Sequence, residues 1–493
     1  MNNDFIIFLA PNFLKMGIDL VNKYKKNNPK AKIYILCHGP KEVYNLAYKK
    51  LNQIIDGIWD IEEFEKNCNL EDDEDLEKID MKMGSGYLAK IITSDRSIGY
   101  GLVRGSIPRE SHMKEKVKKN NFIYPPILAY KIFSFIENII DKNKPQVAFS
   151  YAVASAASLI FADLCKKNNI TYTTIKSSRI QDYFFIDTDY MAKFEEINKE
   201  YNKEKRDFFN ENLSNRIYNE YYTNPSMPSY QLRKVSFINQ NKILIAFLRF
   251  LKNFLKYISS KIIGSRYEFF RVRRSFVEFY FLFRKNIISK NTFSDKIPNK
   301  KFIYFSLQVE PEASTSIFSP FNTDQISVIE NLSKSAPSDM YILVKENIFM
   351  LGRRSKDYYK IINKLPRVMM VSPYISSIDM IKKSTIVATI TGTAAWEGLI
   401  YNKKVLILGD SPYLIFNKSI VQAPNPSKYT NNIIELIKSK NLEKDAIIKF
   451  IDCCILKSFK MDSGLIWRGD YDSFSKEIKE EAINNIYKNI EII

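Results

Sequence analysis

Short apolar runs alternate with amphipathic stretches over two separate parts of this chain. In the first part, Asp4 to Ala10 reads as a strand, Leu14 to Lys26 as a helix with one apolar face, and Lys32 to Cys37 as a second strand ending at His38-Gly39-Pro40. A helical pattern from Lys41 to Leu51 and a strand at Gly57 to Asp60 continue the alternation before an acidic, exposed stretch from Glu62 to Glu77. There follow a helix (Pro126 to Asp141), a strand (Gln146 to Ser150), a small-residue helix (Val153 to Lys167) and a strand (Thr171 to Ile175). Strand and helix in turn predict the crossover units of a parallel sheet.

Asn198 to Tyr230 is polar, tyrosine-rich and helical, and Asn224-Pro225 and Met227-Pro228 mark its end as a boundary. A second alternating part opens at Lys301. Strands are expected at Phe302 to Leu307, Met340 to Lys345, Val368 to Val371, Ile386 to Ile390 and Lys404 to Leu408, with helices at Thr323 to Ser335, Lys356 to Leu365 and Ala394 to Tyr401. The fold class predicted is α/β, with two doubly wound Rossmann-like domains at 1–230 and 298–430. A helical basic insert at 231–297 joins them, and the helices of 431–493 are expected to pack back across both.

Candidate chemistry gathers where strands end, because ligands of open α/β sheets bind beyond the carboxyl ends of their strands. Thr391-Gly392-Thr393 leads from a strand into a helix, so its glycine, its hydroxyls and the amides of Thr393, Ala394 and Ala395 suit a phosphate. Glu397 follows in the first helical turns, where a carboxylate either stabilises the positive helix end or accepts hydrogen bonds from a ribose. Ser150 to Ser155 and Ser177-Ser178-Arg179 end two strands of the first part, serving either close helix packing or an acceptor. His38 ends another, as a polar loop residue or a substrate contact.

Charge changes the picture more than length does. The 493 residues carry a formal charge of +19, which implies acidic company: anionic lipid, acidic polysaccharide or nucleic acid. No zinc-finger or RNP pattern is present, so nucleic acid is not the expected partner. Between Lys242 and Lys290 the basic residues far outnumber the acidic ones and interleave with aromatics, as in Phe247-Leu248-Arg249-Phe250-Leu251 and Phe270-Arg271-Val272-Arg273-Arg274. That pattern fits the anionic inner surface of a membrane, or helices packed at a domain interface. No run of eighteen apolar residues appears, and MNNDFIIFLAPNF lacks a basic residue ahead of its apolar stretch, so a cytoplasmic protein, peripheral on the inner membrane, is expected. The five cysteines show no metal-ligand spacing, and only His38 and His112 could supply imidazole.

Several segments taken together resemble the bacterial capsule polysaccharide biosynthesis proteins, a family that includes Kdo transferases of the capsule lipid linker. They are Phe302 to Ser316 (FIYFSLQVEPEASTS), Leu343 to Arg354 (LVKENIFMLGRR), Thr389 to Gly409 (TITGTAAWEGLIYNKKVLILG), Phe149 to Ser158 (FSYAVASAAS) and Ser177 to Asp182 (SSRIQD). The resemblance implies a GT-B-like glycosyltransferase whose two domains face each other across a cleft. A nucleotide-sugar donor, CMP-Kdo-like or another, would lie on the C-terminal domain, and a lipid-linked or polymeric glycan acceptor on the N-terminal domain, at Ser150, Ser155, Ser178 and Arg179. By position, Lys345, Arg353, Arg354 and the turn Thr391, Gly392, Thr393 and Ala394 are phosphate candidates and Glu397 the ribose candidate. Glu310 and Glu312 are candidates for base or electrostatic partner. No Asp-x-Asp-like pair stands out, so no obligatory metal is expected.

One departure matters. Similar proteins carry His-Pro after the Lys-Glu of the second segment, where this chain has Asn347-Ile348. The departure is compatible with a different donor or a histidine-free mechanism. It is also compatible with a non-catalytic assembly protein, and a transferase or polymerase using a CDP-linked glycerol phosphate donor would use the same fold.

Overall fold

The computed structural model describes residues 3–71, 74–95, 98, 122–204, 207–223, 243–261, 272, 275–276, 279–285, 288, 292–310, 312–355, 357–417 and 419–492. Strands β1 (Phe5–Leu9), β2 (Ile33–Cys37), β3 (Gly57–Asp60), β4 (Val147–Ser150), β5 (Thr171–Ser177) and β6 (Tyr183–Asp187) belong to a first sheet, and β13 (Ser458–Lys460) joins it from the tail. Its order is β13-β6-β5-β4-β1-β2-β3, parallel except where β6 pairs with β5 and β13. The second sheet is built from β7 (Lys301–Ser306), β8 (Met340–Lys345), β9 (Val368–Val371), β10 (Ile386–Thr389), β11 (Lys404–Ile407) and β12 (Ile420–Gln422). Its order is β12-β11-β10-β7-β8-β9, with every pair parallel.

Helices cover both faces of the first sheet, which is why β1 and β2 are apolar at nearly every position rather than at alternate ones. Ile6 and Phe8 enter a core with Ile132, Ile136 and Phe161, from the helices Tyr124–Asn143 and Ala156–Lys167. Phe5 and Ile7 enter the other core, with Leu20 and Val21 of the helix Leu14–Asn27 and Ile486 of the helix Lys476–Ile492. Each such side chain contributes about 1.5–3 kcal/mol on full burial.

Three strands lie outside the sequence expectations. β6 follows a hairpin rather than a crossover, and a strict strand-helix alternation has no place for it. β12 and β13 are three residues each, too short for periodicity to register, and are held by pairing to β11 and β6. The hairpin itself needs two residues in the left-handed region, Arg179 (φ 62°) and Gln181 (φ 47°), at roughly 1–2 kcal/mol each. Ser178 Oγ donating to the Tyr183 carbonyl (2.9 Å) and the Gln181 amide donating to Tyr221 Oη (2.8 Å) hold it closed.

The tail crosses between the sheets. Tyr429–Lys438 packs beside β11, and Lys444–Lys457 lies against the helices Glu195–Tyr201 and Glu211–Thr223. Buried Asp452 accepts the amides of Phe209 (2.9 Å) and Asn210 (2.8 Å) and the Ser214 hydroxyl (3.1 Å), anchoring the tail to the first part of the chain. Asp182 Oδ1 does the same for the Ser463 amide and hydroxyl (3.1 and 2.8 Å). One apolar cluster therefore spans the seam, joining Ile180, Phe185 and Phe194 to Trp396, Tyr413, Phe416 and Phe450.

Of the insert, the helix Ile243–Lys261 is described, and it exposes Leu244, Leu248, Leu255 and Ile258. Among the described residues no helix is long and apolar enough to cross a membrane. The boundary at Asn224-Pro225 and Met227-Pro228, and Phe270, Arg271, Arg273 and Arg274, lie outside the described residues.

Candidate active site

The carboxyl ends of β4 and β5 face those of β7 and β10 across the seam. Arg179 Nη1 donates to the Thr391 carbonyl (3.0 Å), and Ile317, just past β7, shares a core with Val153, just past β4. The turn after β10 is tied largely to protein. Thr391 Oγ1 donates to the Ser314 carbonyl (3.1 Å), and the Gly392 amide donates to Thr389 Oγ1 (3.0 Å). A Cβ on Gly392 would lie 2.5 Å from Gln308 Nε2 and 2.9 Å from Thr389 Oγ1, so protein side chains already occupy the space beside the glycine. Thr393 is exposed, and Ala394 and Ala395 are buried in the start of the helix Ala394–Ile400.

Beneath this turn sits a polar group. Lys345, at the end of β8, donates from Nζ to Ser377 Oγ (3.0 Å) and is held below the usual lysine range by burial, with Glu397 and Glu346 opposing. Glu397 is half-buried, and its carboxylate has no hydrogen bond among the described residues. Desolvation pushes its pKa up to about 7, against the pull of Lys345. A carboxylate and an amine, each partly desolvated and each affecting the other, thus stand together at the carboxyl end of the second sheet.

Arg354 and Glu310 are placed differently from the sequence expectation. The Arg354 side chain is fully buried, with Nε on Glu346 (2.6 Å), Nη1 on Glu310, and Nη2 on the Gln308 carbonyl (2.8 Å). Glu310 also accepts from Gln325 Nε2, and Glu346 from Tyr359 Oη (2.9 Å). A guanidinium so enclosed does not reach a phosphate, and a carboxylate so engaged does not take an acceptor proton. Together they lock the loop after β7 to the loop after β8. Arg353 is exposed, with its guanidinium 5.3 Å from the Phe281 ring of the insert. Gly352 (φ 88°) lets that loop meet the insert, since a Cβ there would lie 2.5 Å from the Phe281 carbonyl. Asn347 Oδ1 accepts the Phe349 amide (3.1 Å), shaping the turn. Glu312 is half-buried and caps the short helix Ala313–Ser316 through its backbone carbonyl.

On the other side of the seam, Ser150 and Ser178 are fully buried. The first pairs with Tyr172 Oη (2.6 Å) and the second holds the hairpin, so neither hydroxyl is presented to an acceptor. Ser155 is half-buried and caps the helix Ala156–Lys167. Its Oγ lies 3.5 Å from His38 Nδ1, and His38 Nε2 lies 3.5 Å from Glu65. Burial pulls the imidazole down, but the Glu65 contact and the charges of Glu65, Asp95 and Glu62 outweigh it and hold the group above its usual value. The Glu65 partnership has no sequence spacing to reveal it. The position of His38 at a strand end is the one signal that could have pointed there. Among the described residues no group of three His, Cys, Asp or Glu side chains could hold a metal ion.

Residues 223–417 match the family described as capsule polysaccharide biosynthesis protein. No curated protein matches the sequence. Among solved structures, the chain is similar to the beta Kdo 2,7 transferase KpsC of Thermosulfurimonas dismutans, at 12% identity and a TM-score of 0.32, over 72% of this chain and 88% of that one. It is also similar to UDP-GlcNAc 2-epimerase of Methanocaldococcus jannaschii, at 11% identity and 0.25, over 91% and 96%. A third is a glycosyltransferase of Rickettsia africae, at 13% identity and 0.25, over 99% of each chain. The similarity to the capsule polysaccharide biosynthesis proteins thus rests on residues 223–417, which carry the second sheet through β11.

Proposed function

We propose that the protein is a glycosyltransferase of capsule or other surface polysaccharide synthesis, carrying a sugar from a nucleotide-sugar donor to a glycan acceptor at the seam between the two sheets. The observation that carries the reading is the pair Lys345 and Glu397, a desolvated amine and a half-buried carboxylate with no hydrogen bond among the described residues, at the carboxyl end of the second sheet. On this reading Lys345 and Thr393 meet the donor phosphate, Glu397 meets the ribose, and Asn347 orients the donor beside them. Arg354 and Glu310 hold the two loops in register and touch no substrate. With Glu310 committed to Arg354, the acceptor hydroxyl passes its proton to His38. The acceptor oxygen then bonds to the anomeric carbon, and the bond from that carbon to the nucleotide phosphate breaks. Thermal shift against CMP-, CDP-, UDP- and GDP-sugars tests the reading, because a ligand bound only by the folded state raises its melting temperature. One class should raise it and show turnover with a glycan acceptor. No shift with any of them refutes the transferase.

The insert supports a place for the reaction. The helix Ile243–Lys261 turns Leu244, Leu248, Leu255 and Ile258 outward beside Arg249 and Lys252, a face that suits the anionic inner surface of a membrane carrying lipid-linked acceptor. Liposome flotation should rise with anionic lipid and fall with salt. Equal flotation with neutral vesicles, or none with either, leaves only a packing role for the helix.

A further inference from the structure

Apart from the Lys345 and Glu397 group, a cavity of about 300 Å³ opens along the seam. Asp189 and Lys193 line it from the first part of the chain, and Phe321, Asn322, Asp410 and Gln422 from the second. Asp410 follows β11 and is 6% exposed. The Lys193 backbone and charge oppose the effect of burial on its carboxyl, while buried Oδ2 has no hydrogen-bond partner among the described residues. A buried oxygen left unpaired is held at the expense of stability.

The walls around it are tied together by hydrogen bonds. Asn322 Nδ2 donates to Ser319 Oγ and to the Leu408 carbonyl (both 3.0 Å), and its Oδ1 accepts from Tyr429 Oη (3.4 Å). Gln422 Nε2 donates to the Gly409 carbonyl (3.0 Å). A Cβ on Gly409 would lie 2.5 Å from Ser319 Cβ, so the backbone there approaches as only glycine allows. At the mouth stands Phe321, an aromatic ring 95% exposed. The arrangement offers an acceptor oxygen at the bottom, a carboxylate (Asp189) on the side and a flat apolar face at the rim.

We infer that this cavity binds an uncharged pyranose unit, one hydroxyl donating to Asp410 Oδ2 and the C–H face of the ring lying on Phe321. A sugar hydroxyl supplies the missing donor. An acidic sugar would bring its own carboxylate towards Asp410, Asp189 and Glu195, which outnumber Lys193 in the cavity lining, and like charges repel. Burial already pushes the Asp410 carboxyl upward, with Lys193 pulling it back and Asp189 reinforcing the rise, which agrees with a site that accepts a neutral donor. The inference rests on the transferase reading only for the origin of the sugar, which is either the donor's own or the acceptor's.

The test uses the full-length protein, with Asp410→Asn and Phe321→Ala. Calorimetry is run with CMP, CDP, UDP and GDP, with their neutral and acidic sugar conjugates, and with methyl glycosides of glucose, galactose, mannose, N-acetylglucosamine and Kdo. Asp410→Asn should leave free-nucleotide affinity within about twofold and weaken a neutral sugar probe about tenfold or more, with Phe321→Ala, at an exposed position, weakening the same probe severalfold. Loss confined to nucleotide sugars assigns the donor's sugar, and loss confined to methyl glycosides assigns the acceptor's. If a glycoside binds through Asp410 and no nucleotide binds at all, the cavity stands and the transferase falls. Wild-type protein that binds none of the sugar probes, binds only acidic ones, or binds neutral ones as well after both substitutions overturns the inference.

Discussion

Replacing Arg354 with methionine separates a scaffold from a ligand contact. Methionine keeps much of the buried volume but deletes a guanidinium that donates to Glu346, Glu310 and the Gln308 carbonyl and lies 4.5 Å from the Tyr358 ring. Two carboxylates with fully buried side chains then lose their cation. Removing one partner of such a pair costs about 3–5 kcal/mol, most of it from the charge left behind. The ring contact adds about 1 kcal/mol. Urea unfolding of the full-length protein, followed by circular dichroism, should show that loss. Adding Glu310→Gln and Glu346→Gln to the same variant should recover roughly half of it, because the stranded charges go while the Asn347 amide, which donates to Glu346 Oε1 (2.6 Å), and Tyr359 keep an acceptor. Nucleotide affinity, measured below the unfolding transition, should stay within about twofold. A variant as stable as wild type, to within about 1 kcal/mol, that binds nucleotide tenfold more weakly would place Arg354 on a phosphate and refute the scaffold reading.

Glu397 gives a pH signature. Its folded-state pKa of about 7 lies above the ordinary 4.5, so folding takes up a proton between those values, and the ionised carboxylate costs stability increasingly from pH 4.5 to 7 and fully above it. Glu397→Gln should therefore stabilise the protein at pH 8 by at most about 3 kcal/mol and change little at pH 4, and a difference independent of pH would show that the carboxylate is paired. Glu397→Ala should lose about 1.5–3 kcal/mol of nucleotide affinity by calorimetry. Asn347→His restores a group able to pass a proton beside the donor, so nucleotide release with acceptor present should quicken while donor affinity stays within a few fold; a slower variant would make Asn347 a specificity device. His38→Gln should lower kcat by about 10²–10⁴ with little change in nucleotide affinity. Because Glu65 helps hold the imidazole above its usual value, the base form and the rate should rise with pH beyond that value, and Glu65→Gln should shift the acid limb of the rate profile downward. An acid limb that does not move would take His38 out of the proton path.

Elements whose signal is local were legible in the sequence. The pattern places the strands at 386–390 and 404–408 and the helix at 394–401, and the structure has Ile386–Thr389, Lys404–Ile407 and Ala394–Ile400. What the pattern could not carry is who partners whom. The Thr391 carbonyl is claimed by a guanidinium 212 residues away, and its hydroxyl by a carbonyl 77 residues away. A turn that reads as an anion site is in part a joint of the fold. Likewise Arg353 and Arg354 are adjacent and chemically identical in the sequence, yet one is exposed beside an aromatic ring and the other is sealed between two carboxylates, a difference set by Glu310, Glu346 and Phe281. Asp410 carries no signal in the sequence, because a lone aspartate after a strand is ordinary, and what sets it apart is a buried oxygen that lacks a donor among the described residues.

The return of the tail to the first sheet sets the order in which the molecule can be made. As the chain emerges from the ribosome, β1 to β6 can pair early. Even so, β6 keeps an open edge until Ser458–Lys460 arrives, and the face carrying Phe5, Ile7 and Val21 waits for Ile483, Ile486 and Tyr487. The Asn28 side chain likewise finds Tyr487 Oη (3.1 Å) only then. Nascent chains thus carry an unpaired strand and an uncovered apolar face through the synthesis of the whole second sheet, the condition under which partly folded proteins aggregate or call on chaperones. A fragment ending before Ser458 keeps both defects permanently, so the first sheet expressed without the tail should collect in the insoluble fraction, and supplying residues 458–492 as a separate chain should return it to solution.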